Sequence, residues 1–187
     1  MNKKAIFVFS CFLAAFVVSS CGFDSVAVKK DYDFKKIKRV AVLDFQDAAG
    51  YYNSGSTVSG MFTKYILKAG FSVVERDQLQ SILKEHQLFM DGVINPDQVK
   101  EFGRLSGVDA LIAGSVSELI PERNFYDNGY PRFIAAQVAV ACRMIDIETG
   151  EILWVASDSY DGTNTQTAFE YLISSLVSDF ARAIRKK

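Results

Sequence analysis

The first half of the chain alternates between apolar runs and segments with helical spacing. An apolar run over 40–45 predicts a buried strand, and apolar residues spaced three and four apart predict a helix over 56–69. Gly70 ends that helix, and a second apolar run over 71–74 predicts the next strand. A strand, a helix and a strand in succession indicate a parallel crossover.

Two further helices are predicted from their first residues. Asp77 and Gln80 have the spacing of a capping box, in which each side chain satisfies a backbone group at the helix start. Asn95 and Pro96 predict the second start, because asparagine caps helices well and proline fits the first helical position. Gly107 is placed to end this helix.

The second half of the chain predicts three strands and a long helix. The strands cover 109–119, 134–147 and 151–160, and a turn at Thr149-Gly150 makes the last two a hairpin. The final helix is strongly amphipathic, with apolar residues at Phe169, Leu172, Ile173, Leu176, Val177, Phe180 and Ile184. The predicted order is therefore β-α-β-α-α-β-β-β-α. This order indicates an α/β fold with a single mixed β-sheet flanked by helices.

The N-terminus has the layout of a bacterial lipoprotein signal. Two lysines precede an uncharged apolar run over 5–18, and small residues then lead to Cys21. In such signals the cysteine thiol receives the lipid, and cleavage occurs just before it. We therefore predict a signal peptide over 1–20, lipidation at Cys21, a tether over 21–37, and one periplasmic domain over 38–187.

Two other interpretations of this segment stay open. The uncharged stretch reaches Phe23 and is just long enough for a transmembrane helix, and an ordinary secretory signal would also be apolar. Gly22, rather than an aspartate, follows the cysteine. In many two-membrane bacteria this arrangement sends a lipoprotein to the outer membrane, so we expect an outer-membrane protein that faces the periplasm.

The charge and the cysteine content of the chain argue against nucleic acid as a partner and against an internal disulfide. The 187-residue chain carries 21 basic and 22 acidic residues, and loss of the two lysines of the signal would change the net charge from −1 to −3. Scattered, balanced charges argue against nucleic acid as a partner. With Cys21 lipidated, Cys142 has no partner for an internal disulfide, and its strand-like surroundings predict a small buried residue.

No group of residues has the pattern of a catalytic centre. His86 is the single histidine and shares the apolar side of a predicted helix, so we interpret it as a core or boundary residue. Asp44 and Asp47 flank the end of a strand, where carboxylates usually cap loops. We therefore expect no enzyme activity, no cofactor, no metal site and no small-molecule substrate.

Two aromatic loops are the candidate contact sites. The loop over 50–57 has the glycine spacing of a phosphate-binding loop but lacks its lysine, so we interpret it as a loop leading to a helix cap at Ser54 or Ser56. The connection over 121–131 is a recognition tip or a long hairpin turn. Exposed aromatic residues often mark contact surfaces. The predicted partner-binding residues are Tyr51, Tyr52, Asn53, Phe125, Tyr126 and Tyr130.

Several segments resemble one known family. Val-Val-Glu-Arg-Asp-Gln-Leu at 73–79, Gly-Val-Asp-Ala-Leu-Ile-Ala-Gly-Ser at 107–115 and Thr-Gly-Glu-Ile-Leu at 149–153 are similar to the CsgG-type family. These are the curli production assembly/transport lipoproteins of the outer membrane. The resemblance covers about 38–184. The family includes secretion channels and non-channel relatives such as the LpoB-type activators of penicillin-binding proteins.

The resemblance implies a non-catalytic accessory, assembly or regulatory protein of an envelope machine. A channel of the curli type inserts two long amphipathic hairpins per subunit, whereas 121–131 carries charges in a short turn and 158–167 is polar and shorter. We therefore expect a non-channel relative that binds an envelope protein, and we leave open a homo-oligomer. The alternative is an oligomeric channel subunit that exports fibre protein.

Overall fold

A computed structural model describes residues 25–89 and 95–185. The strands are β1 Val26–Val28, β2 Arg39–Val42, β3 Ser72–Val73, β4 Ala110–Ile120, β5 Arg123–Asp127, β6 Tyr130–Ile134, β7 Ala136–Asp146 and β8 Ile152–Gly162. The helices are α1 Ser54–Lys68, α2 Arg76–Glu85, α3 Pro96–Ser106 and α4 Thr165–Arg185, with a short 3-10 helix at Phe34–Lys36. The described part of the chain is an α/β fold with one mixed sheet between helices, as predicted.

The main sheet has six strands in the order β1-β8-β7-β4-β2-β3. Strand β2 is parallel to β3 and β4, while β4, β7, β8 and β1 are joined by antiparallel pairing. Because β2 and β4 are parallel, their C-terminal ends lie at the same end of the sheet, which we call the distal end. Strand β8 also finishes there, since Gly162 pairs with Ala136 at the start of β7.

Helices cover the sheet on both faces. Helices α1 and α4 pack on one face around the fully buried Trp154, whose ring stacks on Phe180 with centroids 4.6 Å apart. Helices α2 and α3 pack on the other face around Leu79, Phe102 and Leu111. The face that carries α1 and α4 holds the larger apolar cluster, so burial there is the main source of stability.

Two parts of the fold differ from the predicted order. Strand β1 falls inside the stretch that we predicted as a tether, and it pairs with the outer edge of β8. Strands β5 and β6 form a separate two-stranded hairpin inside the predicted connection. Three residues are too few to show an alternation, and the five-residue strands of the hairpin bury no face, so neither has the apolar pattern that identifies strands.

The helix starts were predicted with mixed success. Asn95 caps α3 as predicted, with its side chain accepting the backbone N–H of Gln98 at 2.9 Å. The capping box at Asp77 was wrong, because the N-cap of α2 is Glu75, two residues earlier, and Glu75 accepts the N–H of Asp77 at 2.7 Å. The amide of Gln80 is engaged elsewhere.

Residues 25–37, which we call the strap, join the N-terminal end of the described chain to the domain. Beyond β1, the hydroxyl of Tyr32 donates a hydrogen bond to Asp146, a buried carboxylate at the end of β7. The same carboxylate accepts the backbone N–H of Thr149 at 2.7 Å and so fixes the turn before β8. Ring contacts between Tyr32, Phe34 and Phe180 attach the strap to the core.

Candidate contact surface

The loop between β2 and α1 is organised by one carboxylate. Asp47 accepts the backbone N–H of Asn53 at 3.0 Å and that of Gly55 at 2.7 Å. These donors belong to the start of α1, where Asn53 has a left-handed backbone and makes no side-chain cap. Asp47, which precedes the helix by several residues, therefore accepts N–H groups at the helix start that have no partner within the helix. The predicted caps at Ser54 and Ser56 are wrong.

Close packing holds the start of α1 against the end of the strand. A side-chain carbon at Gly55 would lie 1.9 Å from the carbonyl oxygen of Phe45, so only glycine fits. The Ser59 hydroxyl accepts the backbone N–H of Phe45 at 3.0 Å, and the Ser54 hydroxyl accepts that of Ala48 at 2.9 Å. These bonds satisfy buried backbone groups and tie the start of α1 to the backbone that follows β2.

The loop directs its aromatic residues to solvent. Tyr52 is 91% exposed and Tyr51 is 38% exposed, and Asn53 beside them is also exposed. Large side chains at that exposure contribute little to the domain's own core. The predicted loop residues are thus accessible to a partner.

The hairpin β5–β6 is exposed along its full length. Every residue of both strands is exposed, including Tyr126 at 79%, Tyr130 at 70% and Phe125 at 40%. Phe133 and Ile134 extend the apolar surface beyond the residues that we predicted. Sequence reasoning missed them because it treated this segment as a connection up to Pro131.

Both aromatic groups lie at the distal end of the sheet. Gln46 pairs with Ser115 on β4 just before the loop begins, and β4 continues to Ile120 before the hairpin follows. Within the described residues, no hydrogen bond, ion pair or ring contact joins the loop to the hairpin. The structure thus places the two groups at one end of the domain as separate projections.

The base of the hairpin is fastened to the start of α4. The carboxylate of Glu122 accepts the hydroxyl of Thr165 at 2.8 Å and its backbone N–H at 2.9 Å. These hydrogen bonds, led by the one from the Thr165 hydroxyl, hold the pKa of Glu122 below its usual range. The ionised carboxylate at a helix N-terminus is also favoured by the helix dipole.

Asp44 and His86, which the sequence analysis considered for a metal or catalytic site, lie in other surroundings. Asp44 pairs with Arg76 at 2.7 Å and accepts the side-chain amide of Gln80 at 2.7 Å, so it joins β2 to α2. The described residues contain no cluster of three or more groups that could hold a metal. His86 is exposed at the end of α2, so the prediction of a core or boundary position was wrong. The helix ends there, and its last residues turn toward solvent.

Cys142 lies in the middle of β7 and is buried. Burial raises the pKa of its thiol to about 12, so the reactive thiolate is scarce at neutral pH. The prediction of a small buried residue is confirmed. The exposed aromatic side chains of the loop and the hairpin can bind a surface.

One groove was not predicted. It has a volume of about 750 Å³ and lies between α2 and the half of the sheet face that α2 and α3 leave uncovered. Apolar side chains such as Leu83 and Val155 line it beside Asp44 and Arg143. The residues come from elements far apart in the sequence, so no local pattern could indicate it.

The family follows from a comparison of the sequence with known families. The family described as "Curli production assembly/transport component CsgG" matches residues 25–171, which is most of the chain. The chain belongs to the CsgG family. The resemblance seen at 73–79, 107–115 and 149–153 is thereby confirmed. No curated protein matches the chain.

Solved structures share the CsgG-family fold. PelC from Paraburkholderia phytofirmans, described as a dodecamer, is 17% identical over 82% of this chain and 92% of its own, with a TM-score of 0.52. Lipoprotein GNA1162 from Neisseria meningitidis is 17% identical over 80% of this chain and 99% of its own, with a TM-score of 0.54. The hypothetical protein CT253 from Chlamydia trachomatis is 11% identical over 80% of this chain and 99% of its own, with a TM-score of 0.53.

The predicted signal peptide and lipidation site belong to the N-terminal segment of the chain. Cys21 and the signal peptide over 1–20 fall outside the described residues. Across the part of the chain that the structure does describe, none of the helices has the length and apolar character needed to span a bilayer.

Proposed function

We propose that this CsgG-family protein is a lipid-anchored, non-catalytic accessory protein of the outer membrane that faces the periplasm. It binds a protein of an envelope machine and regulates or helps to assemble that machine. The observation that carries the proposal is the pair of exposed aromatic projections at the distal end of the sheet. The six predicted residues on these projections are the candidate contacts, and the loop with Tyr51, Tyr52 and Asn53 is the proposed site for the protein partner.

The anchor supplies part of the binding energy. Lipid on Cys21 would confine the protein near its partner, which raises the local concentration of each for the other. A contact of modest area is then sufficient, because less translational freedom is lost on binding. The loop around Tyr52 suits such a contact, because two backbone hydrogen bonds to Asp47 hold its end in place without a partner.

Site-specific crosslinking in living cells tests the partner site. We expect a photoreactive amino acid at Tyr52 to capture one envelope protein, because this side chain is 91% exposed on an ordered loop. The matched control is Leu67, which is 52% exposed at the opposite end of α1. We expect at least a tenfold difference in captured partner, measured by mass spectrometry.

Equal capture from Tyr52 and Leu67, or none from either, would contradict the assignment of the loop. Capture of a cell-wall synthase would identify a regulator. Crosslinks between copies of the chain, together with a secreted substrate, would instead favour transport.

The alternative function is an oligomeric channel subunit for export of fibre protein. The name of the PelC structure, a dodecamer, favours oligomers in this fold. The hairpin strands weigh against a channel, because β5 and β6 have 5 residues each, about half of what a spanning strand needs. Bilayer conductance of the purified protein would support the channel, and its absence would favour the accessory role.

A further inference from the structure

The direction of β1 shows where the chain leaves the domain. Strand β1 runs antiparallel to β8, with Val28 opposite Trp154 and Val26 opposite Ala156. The pairing continues backwards, because the backbone N–H of Ser157 donates to the carbonyl of Ser25 at 3.0 Å. Followed toward the N-terminus, the chain therefore runs alongside β8 toward the distal end of the sheet, where the hairpin β5–β6 begins.

The segment between the predicted anchor and the domain is short. Cys21 precedes Ser25 by four residues, which span at most about 14 Å when fully extended. Along β8, the base of the hairpin lies four residues beyond Ser157, because Asp161 and Ile120 both pair with Gln137. That separation is about 13 Å. A lipid on Cys21 can therefore lie no farther along the direction of β8 than about the level of the hairpin base.

Beyond its base, where Glu122 bonds Thr165, the hairpin buries no side chain against the described part of the domain. Strand pairing puts Tyr126, Pro131 and Phe133 on one face, and Phe125 and Tyr130 on the other, and all five are exposed. An isolated two-stranded hairpin is marginally stable in water. Tyrosine combines an apolar ring with a polar hydroxyl, and it is enriched where membrane and water meet.

The hairpin surface carries no net charge that would attract it to a charged membrane. From Glu122 to Ile134 the chain carries two acids and two arginines, so its net charge is zero. Arg132 and Asp127 also pair with each other across the hairpin at 3.7 Å. Attraction to a charged surface is therefore weak, and the aromatic rings dominate the chemistry of the hairpin.

We infer that hairpin β5–β6 rests on the surface of the lipid bilayer through one face, with Tyr126 and Phe133 at the level of the lipid headgroups. The inference rests on the proposed lipid anchor at Cys21. Strands of 5 residues lie in the interface and do not cross it. The loop around Tyr52 leaves the sheet at Gln46, level with Ser115, and stays available to a protein partner.

Fluorescence quenching by lipid tests this contact. The lipidated protein, purified from membranes, is reconstituted in phosphatidylcholine vesicles with and without a spin-labelled lipid that quenches tryptophan. The reporters are Tyr126→Trp in the hairpin and Leu67→Trp at the opposite end of the domain. Trp154 is fully buried and gives the same background in both. We expect the emission added by Tyr126→Trp to fall at least twofold and that of Leu67→Trp to stay unchanged.

Flotation of the vesicles separates the two ways in which the inference can fail. If the protein floats and the Tyr126→Trp signal is not quenched, the hairpin contact is wrong and the anchor stands. If the protein does not float, the anchor is wrong and the inference falls with it. Quenching that requires phosphatidylglycerol, or disappears in high salt, would show an electrostatic contact and overturn the aromatic one.

Discussion

Replacing Gly55 by alanine is expected to lower the free energy of unfolding by about 3 kcal/mol, at the upper end of the usual cost of overpacking. The added methyl would lie 1.9 Å from the carbonyl oxygen of Phe45, and this neighbour is backbone and cannot rotate away. The start of α1 must then move from the strand, which breaks the bonds that order the loop of Tyr51 and Tyr52. Urea denaturation measures the loss.

Gly60→Ala is the matched control for this substitution. Gly60 is also in α1, but a methyl there has no atom within 4 Å. Alanine is the better helix former, so Gly60→Ala should raise the free energy of unfolding by about 0.5–1 kcal/mol. Similar free energies of unfolding for the two alanine variants would show that the close approach of Gly55 to Phe45 does not determine which residue is tolerated at position 55.

Replacing Tyr32 by phenylalanine is expected to lower the free energy of unfolding by about 2 kcal/mol, because the buried carboxylate of Asp146 loses a donor. Tyr171→Phe is the control, since its ring stacks on Tyr160 and its side chain is 59% exposed. We expect that control to be neutral within about 0.5 kcal/mol.

The effect of Tyr32→Phe should depend on pH. Burial alone would raise the pKa of Asp146, but hydrogen bonds from Tyr32 and Thr149 outweigh it and hold the pKa below the ordinary value of 3.8. A lowered pKa means that the carboxylate stabilises the fold above that value and stops doing so as the pH falls through the folded-state pKa. The difference between wild type and variant should be complete at pH 6 and shrink below about pH 4. A difference that is constant with pH would remove Asp146 as its cause.

The sequence predicted those elements that bury a face. The helix over 165–185 and the long strands at 110–120 and 136–146 follow from apolar spacing, because each must hide a stripe or a face from water. The cap at Asn95 followed from the requirement for an acceptor at a helix start. These patterns are local, so they can be identified without knowing the fold.

The parts that sequence reasoning missed depend on distant residues. Strand β1 forms because the edge of β8 offers unpaired backbone groups to it. Helix α2 begins at Arg76, so the residue at its cap position is Glu75 and not Asp77. The exposure of Tyr126 could be guessed from its polar neighbours, but its position at the same end as Tyr52 required the pairing of β2 with β4. The hairpin buries no side chain against the described residues, so a search for buried faces in the sequence could not reveal it.

The strap gives the protein a defined response to mechanical force. A pull on the N-terminus acts along β1, so it loads the three residues of that strand in shear against β8 before it reaches the core. Tyr32, bonded to Asp146, is the next point of resistance. Release of residues 25–31 would free a segment with a contour length of about 25 Å. Because the extended strand β1 already spans part of that length, the connection would lengthen by less than this while the remaining sheet stays folded. Tension on the anchor would thus lift the domain away from the lipid, and single-molecule pulling should register this extension as a step before global unfolding.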